Sequence, residues 1–122
     1  MKNQAYRMAL LFDFYGDMLT DRQKEFYDLY YNEDLSLAEI AENYNITRQG
    51  VRDVIVRAEG ILGELEEKTG IIRRFQRMQT QLDEISKYAD EINDANIRGT
   101  YDNTIFALCE QIKKTVAVMK QE

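Results

Sequence analysis

The chain has 122 residues, 44% of them hydrophobic, and its 22 acidic and 16 basic residues give a formal net charge of −6. This length allows one ordinary domain, or a small domain with a helical extension. No apolar run reaches the roughly 18 residues of a membrane-spanning helix, and a chain with one cysteine and no histidine lacks the usual zinc sites and Cys/His nucleophile pairs. We therefore expect a cytoplasmic protein with no cofactor, no metal and no membrane partner.

The first part of the chain has apolar residues at intervals of three and four, which is the period of an α-helix. This pattern predicts a first helix over residues 4–19 and a second that ends near Asn32. Proline, which ends helices, is absent from the sequence, so helices joined by short turns are expected throughout. The predicted inward face of the first helix consists of Met8, Leu11, Phe12, Tyr15, Met18 and Leu19.

Short polar motifs mark the starts of the next helices. The segments "TDRQ" (residues 20–23) and "SLAE" (residues 36–39) are capping boxes, in which a hydroxyl accepts a backbone N–H and a Gln or Glu side chain returns the bond. The third helix is expected to end before Asn45, because asparagine tolerates the left-handed conformation that closes a helix. Thr47 then caps a fourth helix that reaches about Lys68.

The stretch "LAEIAENYNITRQGVRDVI" (residues 37–55) has the pattern of a helix-turn-helix, in which two helices cross at a wide angle about a tight turn. Ala41 supplies a small side chain where the two helices approach, and Asn45 occupies the turn. The residues predicted to fill the shared core are Ile40, Tyr44, Ile46, Val51 and Val54.

Subtracting these buried positions leaves an outward face on the fourth helix. Groove-reading proteins place their base-contacting side chains on the first turns of this second helix. Arginine pairs with guanine, glutamine pairs with adenine, and a helix N-terminus can hold a phosphate. The competing interpretation is an ordinary solvated face, and the acidic balance of the chain opposes strong nonspecific binding. The predicted nucleic-acid-binding residues are Thr47, Arg48, Gln49, Arg52, Asp53 and Arg57.

Beyond Gly70 the apolar residues form a narrower seam with alternating steps of four and three, which is typical of a coiled coil or helical hairpin. The pattern predicts antiparallel helices over residues 71–97 and 101–120, packed on each other or on a second copy of the chain. The seam consists of Ile71, Phe75, Met78, Leu82, Ile85, Ala89 and Ile92, and continues with Tyr101, Ile105, Leu108, Ile112, Val116 and Met119.

The sequence therefore predicts an all-α fold with a helix-turn-helix domain over residues 1–68 and a C-terminal helical hairpin over residues 69–122. Helix-turn-helix proteins often pair to contact two half-sites, which favours a homodimer formed by the hairpin. Three arginines open the hairpin and form either a secondary basic patch or a solvated flank of the seam. They are Arg73, Arg74 and Arg77.

One segment of the first domain resembles a known family. "LFDFYGDMLTDRQKEFYDLYYNEDLSLAEIAENYNITRQGVRDVIVRAEGIL" is similar to the YlxM family of small bacterial proteins, whose helix-turn-helix is similar to region four of sigma factors. The chain departs from the family pattern at Gly50, where alanine is usual, and at Arg52, where an aromatic residue is expected. The second departure adds positive charge to the outward face. The family motif residues found here are Arg48, Gln49, Val51, Asp53 and Arg57.

The resemblance implies a role in or near the signal recognition particle pathway, because the family's genes lie beside those of the particle. It leaves open whether the ligand is DNA or the particle's RNA. A second hypothesis is an acidic protein-interaction module that docks on a protein of the particle. An enzyme is not expected, because the carboxylates fall on polar helix faces beside Lys and Arg, without the divergent environments that acid–base catalysis requires.

Overall fold

The computed structural model describes residues 4–121, and every regular element in this range is helical, which confirms the all-α prediction. The chain divides into two compact units at the boundary between Ile72 and Arg73. The described helices are α1 (Ala5–Tyr15), a 3-10 turn (Gly16–Met18), α2 (Asp21–Tyr31), α3 (Leu37–Tyr44), α4 (Arg48–Thr69), α5 (Ile71–Arg98) and α6 (Asn103–Gln121).

The helix starts of the first unit follow the predicted caps. At α2 the Thr20 hydroxyl accepts the Gln23 N–H at 3.2 Å, and the Gln23 side chain accepts the Thr20 N–H at 3.0 Å. The same capping box stands at Ser36, at the start of α3. Asn45 adopts the left-handed conformation (φ 56°, ψ 46°), and Thr47 caps α4 through the Gly50 N–H at 2.9 Å. These polar side chains satisfy helix-end groups that would otherwise lack partners.

The core of the first unit lies where α4 packs against α1, α2 and α3. Each helix contributes apolar residues from one face, which removes them from water and provides most of the stability of such a unit. The largest fully buried side chains are Leu11, Phe26, Tyr27, Ile40, Val51, Ile55 and Leu62.

Helix α1 is shorter than the predicted helix over residues 4–19, and the inward position predicted for Met18 is wrong. Tyr15 has φ −122° and ψ 1°, outside the α-helical range, so the inward face of α1 does not continue in phase into the 3-10 turn. Met18 is consequently 66% exposed. Leu19, which directly precedes the Thr20 cap, is buried, as predicted.

Four tyrosines of the first unit pack in its core, namely Tyr15, Tyr27, Tyr30 and Tyr31, whereas Tyr6 is 80% exposed. Tyr27 is fully buried and donates its hydroxyl hydrogen to the Met8 carbonyl at 2.7 Å. Tyr31 donates to Glu59 Oε1 at 2.8 Å, and burial raises the pKa of both phenols well above the ordinary value. These phenols therefore stay neutral and act as buried hydrogen-bond donors.

A buried carboxylate fastens the end of α4. Glu66 is 8% exposed, and its Oε1 accepts the Tyr15 hydroxyl at 2.6 Å and the Ile72 N–H at 2.9 Å. The pKa of Tyr15 is raised above that of a free phenol. Burial is the largest cause, and the hydrogen bond to Glu66 is the next. Gly70 follows in the left-handed conformation (φ 63°) and ends α4 before α5 begins. This network joins α1 to the end of the helix that carries the candidate site.

The second unit is the predicted hairpin of antiparallel helices, α5 and α6. Leu82 and Ala89 are buried on α5, and Cys109 and Val116 on α6. The turn is held by Asn96, whose side-chain amide donates to the Asp102 carbonyl and accepts the Asp102 N–H, both at 2.8 Å. Helix α6 begins at Asn103, later than the predicted residue 101. Cys109 is a small, buried core residue of the hairpin.

Candidate nucleic-acid interface

Helices α3 and α4 form the helix-turn-helix. The turn closes through the Ile46 N–H, which donates to the Ala41 carbonyl at 3.1 Å. Ala41 itself is 6% exposed, consistent with a small side chain at the contact between the helices. Tyr44, Ile46 and Val54 are partly buried against the core, so the predicted internal residues of the motif are confirmed.

The outward face of α4 is defined by the helical period of 100° per residue. Its buried stripe consists of Val51, Ile55, Ala58 and Leu62, all fully inaccessible. Gln49, Asp53 and Val56 lie on the opposite side of the helix. Arg48 and Arg52 lie to one side of that outward line, and Arg57 lies to the other. All six predicted site residues, Thr47, Arg48, Gln49, Arg52, Asp53 and Arg57, are exposed.

Within the described part of the chain, the three arginines of this face form no salt bridge with a carboxylate. Among residues 4–121, the salt bridges join Lys24 with Asp17, Lys68 with Glu64, Lys113 with Asp90, and Lys120 with Asp83. None of them involves an α4 arginine. Besides the Thr47 cap, a bond between two side chains of this face runs from Gln49 Nε2 to Asp53 Oδ1 at 2.8 Å. It holds the exposed Gln49 side chain along the helix, beside Asp53.

Each flank of α4 borders a shallow cavity of the first unit. On one side a cavity of about 650 Å³ is lined by Arg57, Val54 and Asp53 together with Arg22 and Gln23 from the start of α2. On the other side Arg48 lines a cavity of about 480 Å³ with the first turn of α3. Arg57 and Arg48 therefore border cavities on the two flanks of α4.

Arg22 is a member of this surface that the sequence pattern does not reveal. Its guanidinium lies 5.3 Å from the centre of the Phe26 ring, a cation–π arrangement that holds the side chain at the edge of the cavity. Helical periodicity indicates only that Arg22 is exposed on α2. The crossing of α2 and α4, which places Arg22 opposite Arg57, is a tertiary feature.

The space for a side chain at Gly50 is limited by the Thr47 cap of α4. A Cβ atom built there would lie 3.2 Å from the Thr47 Oγ1, which is the atom that caps α4. A larger side chain would press on this cap, since 3.2 Å is tighter than most contacts of a real Cβ. Alanine at this position therefore requires a small shift of the Thr47 side chain.

The secondary basic patch of Arg73, Arg74 and Arg77 lies on the first turns of α5, in the second unit, and all three side chains are exposed.

Within residues 4–121 no group of three or more Cys, Asp or Glu side chains is arranged to hold a metal ion. In the same range no helix combines the length and apolar character needed to cross a membrane.

In this unit, α4 is the second helix of the motif, carries exposed arginines and packs on α1, α2 and α3. This arrangement defines a helix-turn-helix protein. Comparison with known proteins agrees: residues 2–104 match the sequence profile of the family described as "Putative helix-turn-helix protein, YlxM / p13 like". The chain belongs to this family, UPF0122, as the resemblance predicted.

Curated relatives support this assignment over most of the chain. A UPF0122 protein of Desulforamulus reducens is 48% identical over 87 residues, which cover 71% of this chain and 74% of the relative. One from Thermoanaerobacter sp. is 41% identical over 109 residues, or 89% and 90% of the two chains. One from Bacillus cereus is 41% identical over 96 residues, or 79% and 87%.

Proposed function

We propose that this protein is a non-enzymatic regulator that binds nucleic acid through the outward face of α4. One observation carries the proposal: Arg48 and Arg52 are exposed at the start of the second helix of a helix-turn-helix and take part in no salt bridge among the described residues. Unneutralised guanidinium groups at such a position attract phosphate and pair with base edges.

The residues of the face divide into two roles. Gln49 and Asp53, on the outward line of α4, are placed to meet base edges when the helix enters a groove. Arg48 and Arg57, on the two flanks, are placed to contact phosphates on the two walls, and Arg52 lies between base and phosphate positions. Thr47 adds the N-terminus of α4, where unpaired N–H groups favour an anion.

The acidic body supports selective binding. Residues 1–72 carry 14 acidic and 8 basic residues, so a polyanion is repelled at long range from most of this unit. Affinity then depends on a small number of phosphate contacts at α4 together with base contacts. Such a complex weakens as salt rises, with a slope set by the number of phosphates neutralised.

Duplex DNA fits an exposed α4 better than duplex RNA, because the major groove of A-form RNA is too deep and narrow for a helix. An RNA ligand would instead be held by its loops or by its overall shape.

The link to the signal recognition particle, its RNA or its proteins rests on the family resemblance alone. The same is true of the similarity to region four of sigma factors. A cytoplasmic location and a homodimer, with residues 1–68 as the binding domain and 69–122 as the pairing segment, complete the proposal.

The alternative function is a protein-interaction module of the signal recognition particle pathway. The formal charge of the first unit, in which acidic residues exceed basic ones by six, favours docking on a basic protein. On this hypothesis α4 is a structural support, and its arginines contact only solvent.

Recovery of the tagged full chain from nuclease-treated and untreated lysate separates the two functions. The proposal predicts that nucleic acid is recovered with the protein at low salt, and that its recovery falls steeply as salt rises. Sequencing the recovered material then identifies it as DNA or RNA. A protein partner retained equally with and without nuclease, and no nucleic acid above that of an untagged control, would contradict the proposal.

A further inference from the structure

The hairpin of α5 and α6 has one strongly apolar face. Seven-residue spacing places Met78, Ile85 and Ile92 in one line on α5, beside the buried Leu82 and Ala89. The same spacing places another apolar line beside the buried residues of α6. The residues of that second line are Ile105, Ile112 and Met119, and all six side chains of the two lines are between 38% and 52% exposed.

The opposite face of the hairpin is polar. Asp90 pairs with Lys113 at 2.9 Å, and Asp83 pairs with Lys120. The Gln79 side chain donates to the Lys120 carbonyl on this side. The two ion pairs between α5 and α6 therefore lie on one face, and the apolar lines lie on the other.

The two apolar lines belong to a single surface. Ile85 from α5 and Leu108, Ile112 and Met119 from α6 line one open groove of about 510 Å³. Two helices bury only the narrow strip between them, whereas a stable helical domain needs a second layer over its apolar face. This groove is where such a layer is missing among the described residues of the hairpin.

We infer that a second copy of this chain covers this apolar face, so that two hairpins form a four-helix bundle. Charge favours this occupant. Residues 73–122 carry 8 acidic and 8 basic residues, so this unit neither repels its own copy nor selects an oppositely charged partner. The repeat of seven on both helices is also the spacing that interlocks helices in such bundles.

A two-fold axis through the groove closes the assembly at two copies. It pairs the line of Met78, Ile85 and Ile92 of one hairpin with apolar residues of the other, so that the same surface is used by both copies. This inference deepens the homodimer of the proposed function by naming its surface. It depends on the hairpin alone and stands or falls separately from nucleic-acid binding.

The mass of the full chain at micromolar concentration, measured by light scattering, tests the inference. We expect twice the chain mass of 14.4 kDa for the natural protein. The variant Ile85→Glu/Ile112→Glu places two carboxylates on the apolar face of each copy and should weaken dimerisation at least about 100-fold, since buried unpaired charge is costly. The milder Ile85→Ala/Ile112→Ala variant should weaken it about tenfold or more, and far-ultraviolet circular dichroism monitors folding of both.

The matched control is Ile97→Glu/Val118→Glu. These residues are 51% and 57% exposed, and Ile97 shares its heptad position with Asp83 and Asp90 on the polar face. The control should remain dimeric. A monomeric natural protein, or a folded dimer that both Ile85/Ile112 variants leave intact, would overturn the inference. Equal loss of dimer in the control would also overturn it. A dimer that binds no nucleic acid would refute only the proposed function.

Discussion

The Arg48→Ala/Arg52→Ala variant is expected to lose nucleic-acid binding while keeping the fold. Both side chains are exposed and support no core contact, so their removal leaves the helix-turn-helix intact. An arginine contact to a base or phosphate contributes about 1–3 kcal/mol, so together the two account for roughly 30-fold to 20,000-fold in affinity. Titration of the nucleic acid recovered with the natural protein, monitored by fluorescence anisotropy at several salt concentrations, measures the loss.

The control for this variant is Lys68→Ala/Lys87→Ala. It makes the same change in net charge at exposed positions outside the outward face of α4. We expect less than about a threefold loss in affinity from the control, together with an unchanged salt dependence, whereas the arginine variant should lower the slope of log affinity against log salt by about 2. Equal losses in both variants would show that net charge, and not the α4 face, governs binding.

The Phe26→Ala variant is expected to destabilise the first unit by about 3–5 kcal/mol, the usual range for removing a buried phenylalanine. The Phe26 ring is fully buried and meets the Tyr44 ring edge-on at a centroid distance of 4.9 Å. It also supports Arg22 from below. Its loss therefore opens a cavity between α2 and α3 and releases a cation of the candidate surface. Chemical denaturation monitored by near-ultraviolet circular dichroism of the buried tyrosines reports this unit.

Phe14→Ala is the matched control, because Phe14 belongs to the same unit and is 36% exposed. Its removal is expected to cost less than about 1 kcal/mol, since it leaves no enclosed cavity. Similar losses of stability in the two variants would contradict the packing described for α2 and α3. A Phe26→Ala protein that is as stable as the natural chain would contradict it more strongly.

The helix-turn-helix was predictable because its signals are local. The capping residues Thr20, Ser36 and Thr47 act on backbone groups within three residues of themselves, and Asn45 determines its own backbone conformation. Sequence alone therefore specifies where α2, α3 and α4 start and where α3 ends. The error at Met18 has the opposite cause. Periodicity assumes a continuous helix, and the interruption at Tyr15 arises where α1 packs against the rest of the unit.

Some features of the candidate site were also predictable from local sequence, and others depended on tertiary packing. That Arg48, Arg52 and Arg57 are exposed follows from the period of α4, and the structure agrees. Their freedom from carboxylates did not follow, because it depends on where the acidic residues of other helices lie. The place of Arg22 beside α4 was unpredictable for the same reason.

In the hairpin, sequence predicted a seam without saying which part of it α5 and α6 bury against each other. Leu82 and Ala89 are buried, whereas Ile85 and Ile92, only three residues further along in each case, are exposed. The distinction depends on the rotation of each helix about its axis, which a heptad pattern leaves undetermined when two adjacent lines are both apolar.

The most direct test of the central claim is photocrosslinking from the outward face of α4. A benzophenone amino acid in place of Gln49 should crosslink to nucleic acid in cells, and the same group in place of Glu67, exposed near the other end of α4, should not. Crosslinks from position 49 to nucleic acid, mapped to defined sequences, are the result that the account predicts. Crosslinks from position 49 only to protein, or equal nucleic-acid crosslinking from both positions, would contradict it.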